Sequence, residues 1–154
     1  MKKYLLLLLV FLGMAVSVQA QRRCGQPDAE KLKEINEYRL KYLAQEMELT
    51  DEQKPKFVEL YNQMTAERKA NFDKLRAAEK KLKGNLSDAE YKAQVNVVSD
   101  CKVHDAQIVK DYDAKFEKFL SAKQIYKMKE AEEKFRKRLR EMHQQRKHDK
   151  KKTN

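Results

Sequence analysis

One five-residue pattern recurs three times and fixes where helices begin. It reads LTDEQ at 49–53, LSDAE at 86–90 and LSAKQ at 120–124. Thr50, Ser87 and Ser121 are strong N-cap residues, and Gln53, Glu90 and Gln124 follow each by three positions. This is the capping box. The hydroxyl accepts one of the backbone N–H groups that a helix start leaves unpaired, and the Gln or Glu oxygen accepts the cap residue's own N–H. A leucine precedes each cap. Leu86 with Tyr91 and Leu120 with Ile125 have the spacing of a hydrophobic staple, whereas the first copy has Lys54 at that position. Pro55 lies just inside the helix that Thr50 opens and removes one hydrogen bond near its start.

The three starts divide the chain into four helices. Pro27 introduces the first, over 28–47, and the second runs over 50–83 to a C-cap at Gly84-Asn85. The third covers 87–119, and the fourth starts at 121 and reaches at least 142. Apolar residues recur at helical spacing: Phe57, Tyr61, Met64, Phe72, Leu75 and Leu82 in the second helix, with Arg68 breaking the stripe. Tyr91, Val95, Val98, Cys101, Ile108, Tyr112, Phe116 and Phe119 follow in the third, then Ile125, Met128, Ala131, Phe135, Leu139 and Met142 in the fourth. No stretch alternates like a strand. The fold expected is all-α. Its second and third helices, each about 50 Å long, would form a long central hairpin flanked by shorter helices. Such flanks leave apolar surface open, so a homodimer is expected.

The first twenty residues stand outside this scheme. Lys2 and Lys3, an apolar run over 5–16 and the ending VQA describe a secretory signal cleaved after Ala20. A retained membrane anchor is the rival reading, but the run is short for a spanning helix, which needs about 20 apolar residues. A lipoprotein would need small residues before Cys24, where Arg22 and Arg23 stand. The mature chain is thus expected to be exported and periplasmic, with Cys24 and Cys101 in an oxidising compartment. A bridge between them would contribute up to about 4 kcal/mol in the chain-entropy account. Bridges between chains and free thiols are the alternatives.

The formal net charge of +11 falls to +9 when Lys2 and Lys3 leave with the signal. Most of it is local. Residues 136–152 carry nine Lys or Arg, including Arg136, Lys137, Arg138 and Arg140, against Glu141 and Asp149. Residues 143–154 read as a disordered basic tail. In the cytosol such a segment would suggest nucleic acid. Outside it, acidic lipid, polysaccharide or acidic protein segments are the fitting partners, an adhesive surface role among them, or the tail serves solubility. Basic residues beside an apolar helix face also suit weak capture of unfolded chains.

Catalytic signatures are missing. The mature chain has two glycines, Gly25 and Gly84, too few for a phosphate-cradling loop, and it contains no G-x-S-x-G or HExxH. No enzyme and no organic cofactor are expected. For metal, Cys101 and His104 are weak candidates, three apart beside Asp100 and Asp105, and zinc is the ion they would suit. The favoured reading places Cys101 on the core stripe and His104 at solvent. His143 and His148, five apart in a cationic segment, make a poor ligand pair.

Two L-[T/S]-x-x-Q motifs about seventy residues apart, in an exported helical chain of this size, resemble the Spy/CpxP (LTxxQ-motif) family of periplasmic proteins. Leu49, Thr50 and Gln53 match the motif outright; Leu120 and Gln124 match, with Ser121 in place of Thr. The likeness spans roughly 28–142. It implies a four-helix chain that dimerises, intertwined, into a thin curved cradle. It also implies an ATP-independent chaperone that binds unfolded envelope proteins and suppresses their aggregation under stress. CpxP-like members also restrain an envelope-stress sensor kinase, and a related branch binds metal, so a metal- or redox-responsive regulator is the alternative. The two cysteines and the long basic tail depart from the family pattern.

Overall fold

The computed structural model describes residues 29–152. The chain divides into two compact units, Met1–Lys33 and Glu34–Asn154. Of the first, only residues 29–33 are described, and they form the opening of the first helix. The architecture below is that of the second. The helices are α1 (Ala29–Glu46), α2 (Gln53–Lys81), α3 (Asp88–Phe116) and α4 (Ala122–Lys152), with no strand among the described residues. The all-α expectation therefore holds, with helix ends within a few residues of the capping pattern except at the end of α4.

Each boundary has a local cause. α1 closes with a Schellman turn: the Leu49 N–H donates to the Ala44 carbonyl at 3.0 Å and the Glu48 N–H to the Gln45 carbonyl at 3.0 Å. Glu48 occupies the left-handed position, at φ 53°, where glycine is usual. Regular α2 begins at Gln53 rather than Thr50. Lys54 N–H reaches the Thr50 carbonyl at 3.1 Å, but Pro55 has no N–H to give the Asp51 carbonyl, so the first turn is incomplete. At the far end of α2, Gly84 avoids the left-handed conformation expected of a C-cap glycine. The helix tightens instead into i+3 turns, with Gly84 N–H donating to the Lys81 carbonyl at 2.9 Å.

α4 corrects one expectation. The supposed disordered tail is helical through Lys152, which makes α4, at 31 residues, the longest helix among the described residues. Between Ser121 and Lys152 there is no Gly or Pro, and the segment is rich in Lys, Arg, Glu, Gln and Met, all good helix formers. Lys134–Glu130 and Arg136–Glu133 pairs add one-turn support, and basic residues suit a helix C-terminus.

α2 and α3 pack as a close antiparallel hairpin. The inward positions of α2 and its C-cap are Phe57, Tyr61, Met64, Arg68, Asn71, Leu75, Ala78 and, at the cap, Leu82, a strict alternation of four and three. That is a coiled-coil seam. Arg68 does not break it, because it sits on the seam and is paired there. Phe72, expected on the stripe, lies off it and is 52% exposed.

The apolar core gathers at the end of the hairpin where all four helices meet. Leu43 of α1 and Met47 just after it, Phe57, Tyr61 and Met64 of α2, Ile108, Tyr112 and Phe116 of α3, and Ile125, Met128 and Ala131 of α4 form one buried cluster. The motif leucines Leu49 and Leu120 belong to it. Further along, α1 and α4 are joined by aromatic contacts, Phe135 packing on Tyr38 and Tyr42 with ring centroids 6.1 Å apart in both pairs.

Candidate functional site

The two glutamine-bearing motifs meet. In the first, Gln53 N–H donates to Thr50 Oγ1 at 3.3 Å and Thr50 N–H to Gln53 Oε1 at 3.1 Å. In the second, Gln124 N–H donates to Ser121 Oγ at 3.2 Å and Ser121 N–H to Gln124 Oε1 at 3.0 Å. Both boxes are complete, and the two glutamines also bind each other. Gln124 Nε2 donates to Gln53 Oε1 at 3.0 Å. Gln53 Nε2 approaches Gln124 Oε1 at 3.4 Å and donates to the Phe119 carbonyl at 2.9 Å. Each side-chain oxygen thus accepts from its own motif's backbone and from the opposite amide.

This arrangement distinguishes Gln from Glu. A carboxylate can cap, as Glu90 does at Ser87, where the Ser87 N–H donates to Glu90 Oε2 at 2.8 Å. A carboxylate has no N–H to give. The copy with Glu stands at the opposite end of the hairpin and only caps. The copies with Gln cap and also clasp the starts of α2 and α4 together. Spacing alone announced the caps; the clasp needed the fold.

Polar side chains brace the seam beyond the core. Arg68 Nε and Nη2 donate to Asp105 Oδ1 and Oδ2 at 2.8 and 2.9 Å. The guanidinium holds the Asp105 carboxyl below the usual aspartate range. One turn on, Asn71 Nδ2 donates to the Cys101 carbonyl at 2.7 Å, and Asn71 is only 6% exposed. Tyr61 hydroxyl donates to Glu132 of α4, and burial, then the Glu132 charge, pushes its pKa upward. Lys127 Nζ reaches Glu48 at 2.6 Å, tying α4 to the turn after α1. Sequence reading named Tyr61, Arg68 and Asp105 but missed these pairings, because a polar residue on a stripe looks like a gap until its partner is known.

The candidate ligands do not converge. Cys101 is a buried free cysteine on the α2-facing side of α3, and His104 is exposed. Asp105 is engaged by Arg68. Among the described residues no three His, Cys, Asp or Glu side chains are placed to hold a metal ion. Cys24, the other half of the possible disulfide, lies outside the described residues, as does the signal segment. No described helix is long and apolar enough to cross a membrane. His143 Nδ1 lies 2.8 Å from the Leu139 carbonyl on its own helix.

What remains open is surface on the hairpin beyond the core. Phe72 is 52% exposed, Val95 50% and Val103 71%, with Tyr91 and Val97 also exposed. Cations stand among them, Arg76 lying over the Phe72 ring at 5.5 Å. A second apolar cleft, of about 320 Å³, lies between α1 and α4, where Ile35 and Tyr38 face Phe135, Leu139 and Met142. Arg136, Lys137, Arg138 and Arg140 are exposed on the same stretch of α4, Arg138 lining the cleft itself and lying over the Tyr42 ring at 5.5 Å. No protein-family model, curated protein or solved structure matches the chain.

Proposed function

We propose that this chain is an exported chaperone of the Spy/CpxP type, which binds non-native envelope proteins without nucleotide and works as a homodimer. The observation that carries the reading is the exposed apolar surface on the α2–α3 hairpin, Phe72, Val95 and Val103, set among basic side chains. Several large apolar side chains left exposed on one hairpin are the kind of surface a partner can cover. Burying two or three of them against a client supplies about 3–6 kcal/mol before ordering costs. That corresponds to weak, reversible association. Lysines and arginines would draw in acidic chains and speed the encounter. Release then needs no energy source.

The clasp and caps serve this reading as scaffolding. They fix the helix starts on which the hairpin stands and are not client contacts. The test is light scattering from a chemically denatured protein diluted into buffer with the mature chain and no nucleotide. Dose-dependent suppression near equimolar amounts is expected. Unaltered aggregation across several clients would rule the reading out.

A further inference from the structure

The basic segment of α4 looks like a plain run of charge in sequence, but the helix sorts it. Arg136, Arg140, His143 and positions 147 and 150, both lysine, recur at alternating steps of four and three. At 3.6 residues per turn they fall within about 80° of the helix circumference, in a row about 21 Å long. Glu141 and Asp149, the acids of the segment, fall on the opposite side, with Arg138 and position 152 beside them. The far side is therefore balanced, and the excess positive charge lies along one face.

The described part of the row can be reached from solvent. The side chains of Arg136 and Arg140 are 56% and 66% exposed. Both donate to Glu133, at 2.7 and 3.4 Å, so one carboxylate serves two guanidiniums and leaves a net positive charge. His143 Nδ1 lies 2.8 Å from the Leu139 carbonyl. A carbonyl only accepts, so Nδ1 carries the proton and Nε2 is left for another partner. These three residues, with Leu139 and Gln144, line a shallow depression of about 490 Å³ on the helix surface.

We infer that this row binds a linear acidic polysaccharide, its carboxylates or sulfates on the row's cations and its hydroxyls on His143 and Gln144. A polymer with repeated charge matches a row with repeated charge, whereas a small anion would meet one or two cations and leave the rest. An anionic bilayer is a poorer match, because a helix that lies in the interface sinks an apolar face. Only the half-buried Leu139 borders the row, while Phe135 and Met142 line the cleft toward α1. Single-stranded nucleic acid is held by stacking its bases on aromatic rings, and residues 136–152 contain no Phe, Tyr or Trp. The preference over duplex DNA rests on the reading of the chain as exported; the row itself does not.

The probe is a heparin hexasaccharide titrated calorimetrically into the mature protein at low salt, with dextran as the neutral control and no client present. Saturable binding is expected, with amide shifts clustered on residues 136–150. Affinity should fall with salt at a log–log slope of about −3, as for four neutralised charges on a single-stranded polyanion. Arg136→Gln combined with Arg140→Gln should weaken binding about tenfold. Lys134→Gln combined with Lys137→Gln removes the same charge off the row and should weaken it less than about twofold. All four side chains are exposed, so helicity should persist in circular dichroism. Equal weakening by the two variants would overturn the inference, as would no binding or binding that survives high salt. Tighter binding to phosphatidylglycerol vesicles or to duplex DNA would also overturn it. A preference for DNA would count against export as well, a result separate from the aggregation assay.

Discussion

Replacing Gln53 with Glu separates the two roles of the motif. The carboxylate can still accept the Thr50 N–H, so the capping box survives. The Nε2 donor disappears, and with it the 2.9 Å bond to the Phe119 carbonyl and the 3.4 Å approach to Gln124 Oε1, while the bond accepted from Gln124 Nε2 is kept. The new oxygen would face two other acceptors in a part-buried site. Loss of one good hydrogen bond and exposure of an acceptor to a like partner costs about 1.5–3 kcal/mol. A negative charge near the start of α2 returns about 0.5 kcal/mol through the helix dipole. The net expectation for Gln53→Glu is a loss of about 1–2.5 kcal/mol in urea denaturation followed by circular dichroism. Thr50→Ala, which removes only the cap, should lose about 1 kcal/mol.

The same variant carries a pH signature. Once protonated, the introduced carboxyl would regain a donor, so the folded state would favour the neutral acid and raise its pKa above the unfolded value. A raised folded pKa means the lost stability returns as pH falls and disappears again as pH rises through the folded pKa. Wild type lacks this group and should not show the recovery. If Gln53→Glu is as stable as wild type at neutral pH, the clasp contributes nothing and the reason given for glutamine is wrong.

Further expectations follow from the seam and the turns. For Arg68 and Asp105, a double-mutant cycle to Ala should give a coupling of about 0.5–1 kcal/mol, limited by side-chain exposures of 33% and 39%. Asp105 titrates below its ordinary value because Arg68 holds the charged form. Its contribution is therefore complete above the unfolded aspartate pKa and is lost as pH falls through the lower folded value. Asp105→Asn should remove that acid-side slope, seen as a flatter stability profile. Asn71→Leu places an apolar residue on the seam and should raise the urea midpoint while admitting alternative association states by analytical ultracentrifugation. Glu48→Gly relieves the left-handed conformation at φ 53° but gives up the exposed pair with Lys127, so Tm should rise by only about a degree or two in scanning calorimetry.

Much of the fold could be read in advance because capping is local chemistry. The hydroxyl, the three-residue gap and the Gln or Glu are visible in any copy, and the structure completes the box at Thr50, Ser87 and Ser121. Of the two staples legible in the sequence, Leu86 with Tyr91 and Leu120 with Ile125, the second is buried on both sides whereas Tyr91 is exposed. What escaped was long-range. Arg68 and Asn71 lie on the same four-three alternation as Tyr61 and Met64, but their partners Asp105 and the Cys101 carbonyl are thirty or more positions away. A hydropathy stripe counts such residues as breaks and puts Phe72 in their place. The extent of α4 was underestimated for a different reason. Charge density suggested disorder, whereas helix propensity without any Gly or Pro favoured continued helix.

The surface proposed to hold clients was only half legible. Phe72 and Val95 were recognised as large apolar residues at helical spacing, which ordinarily means core. That they stand in water follows from where the four-helix core stops, a property of helix lengths and packing together. Asn71 and Ala78, the small or polar seam residues, are what the distal hairpin buries instead.

The most direct test of the central claim compares the mature protein with a Phe72→Ser, Val95→Ser, Val103→Ser variant in suppressing aggregation of a denatured client. All three side chains are exposed, so the variant should retain its helical signal and its urea midpoint. The account predicts that suppression is largely lost while folding is kept. Full suppression by the folded variant would contradict it and place client binding elsewhere on the chain.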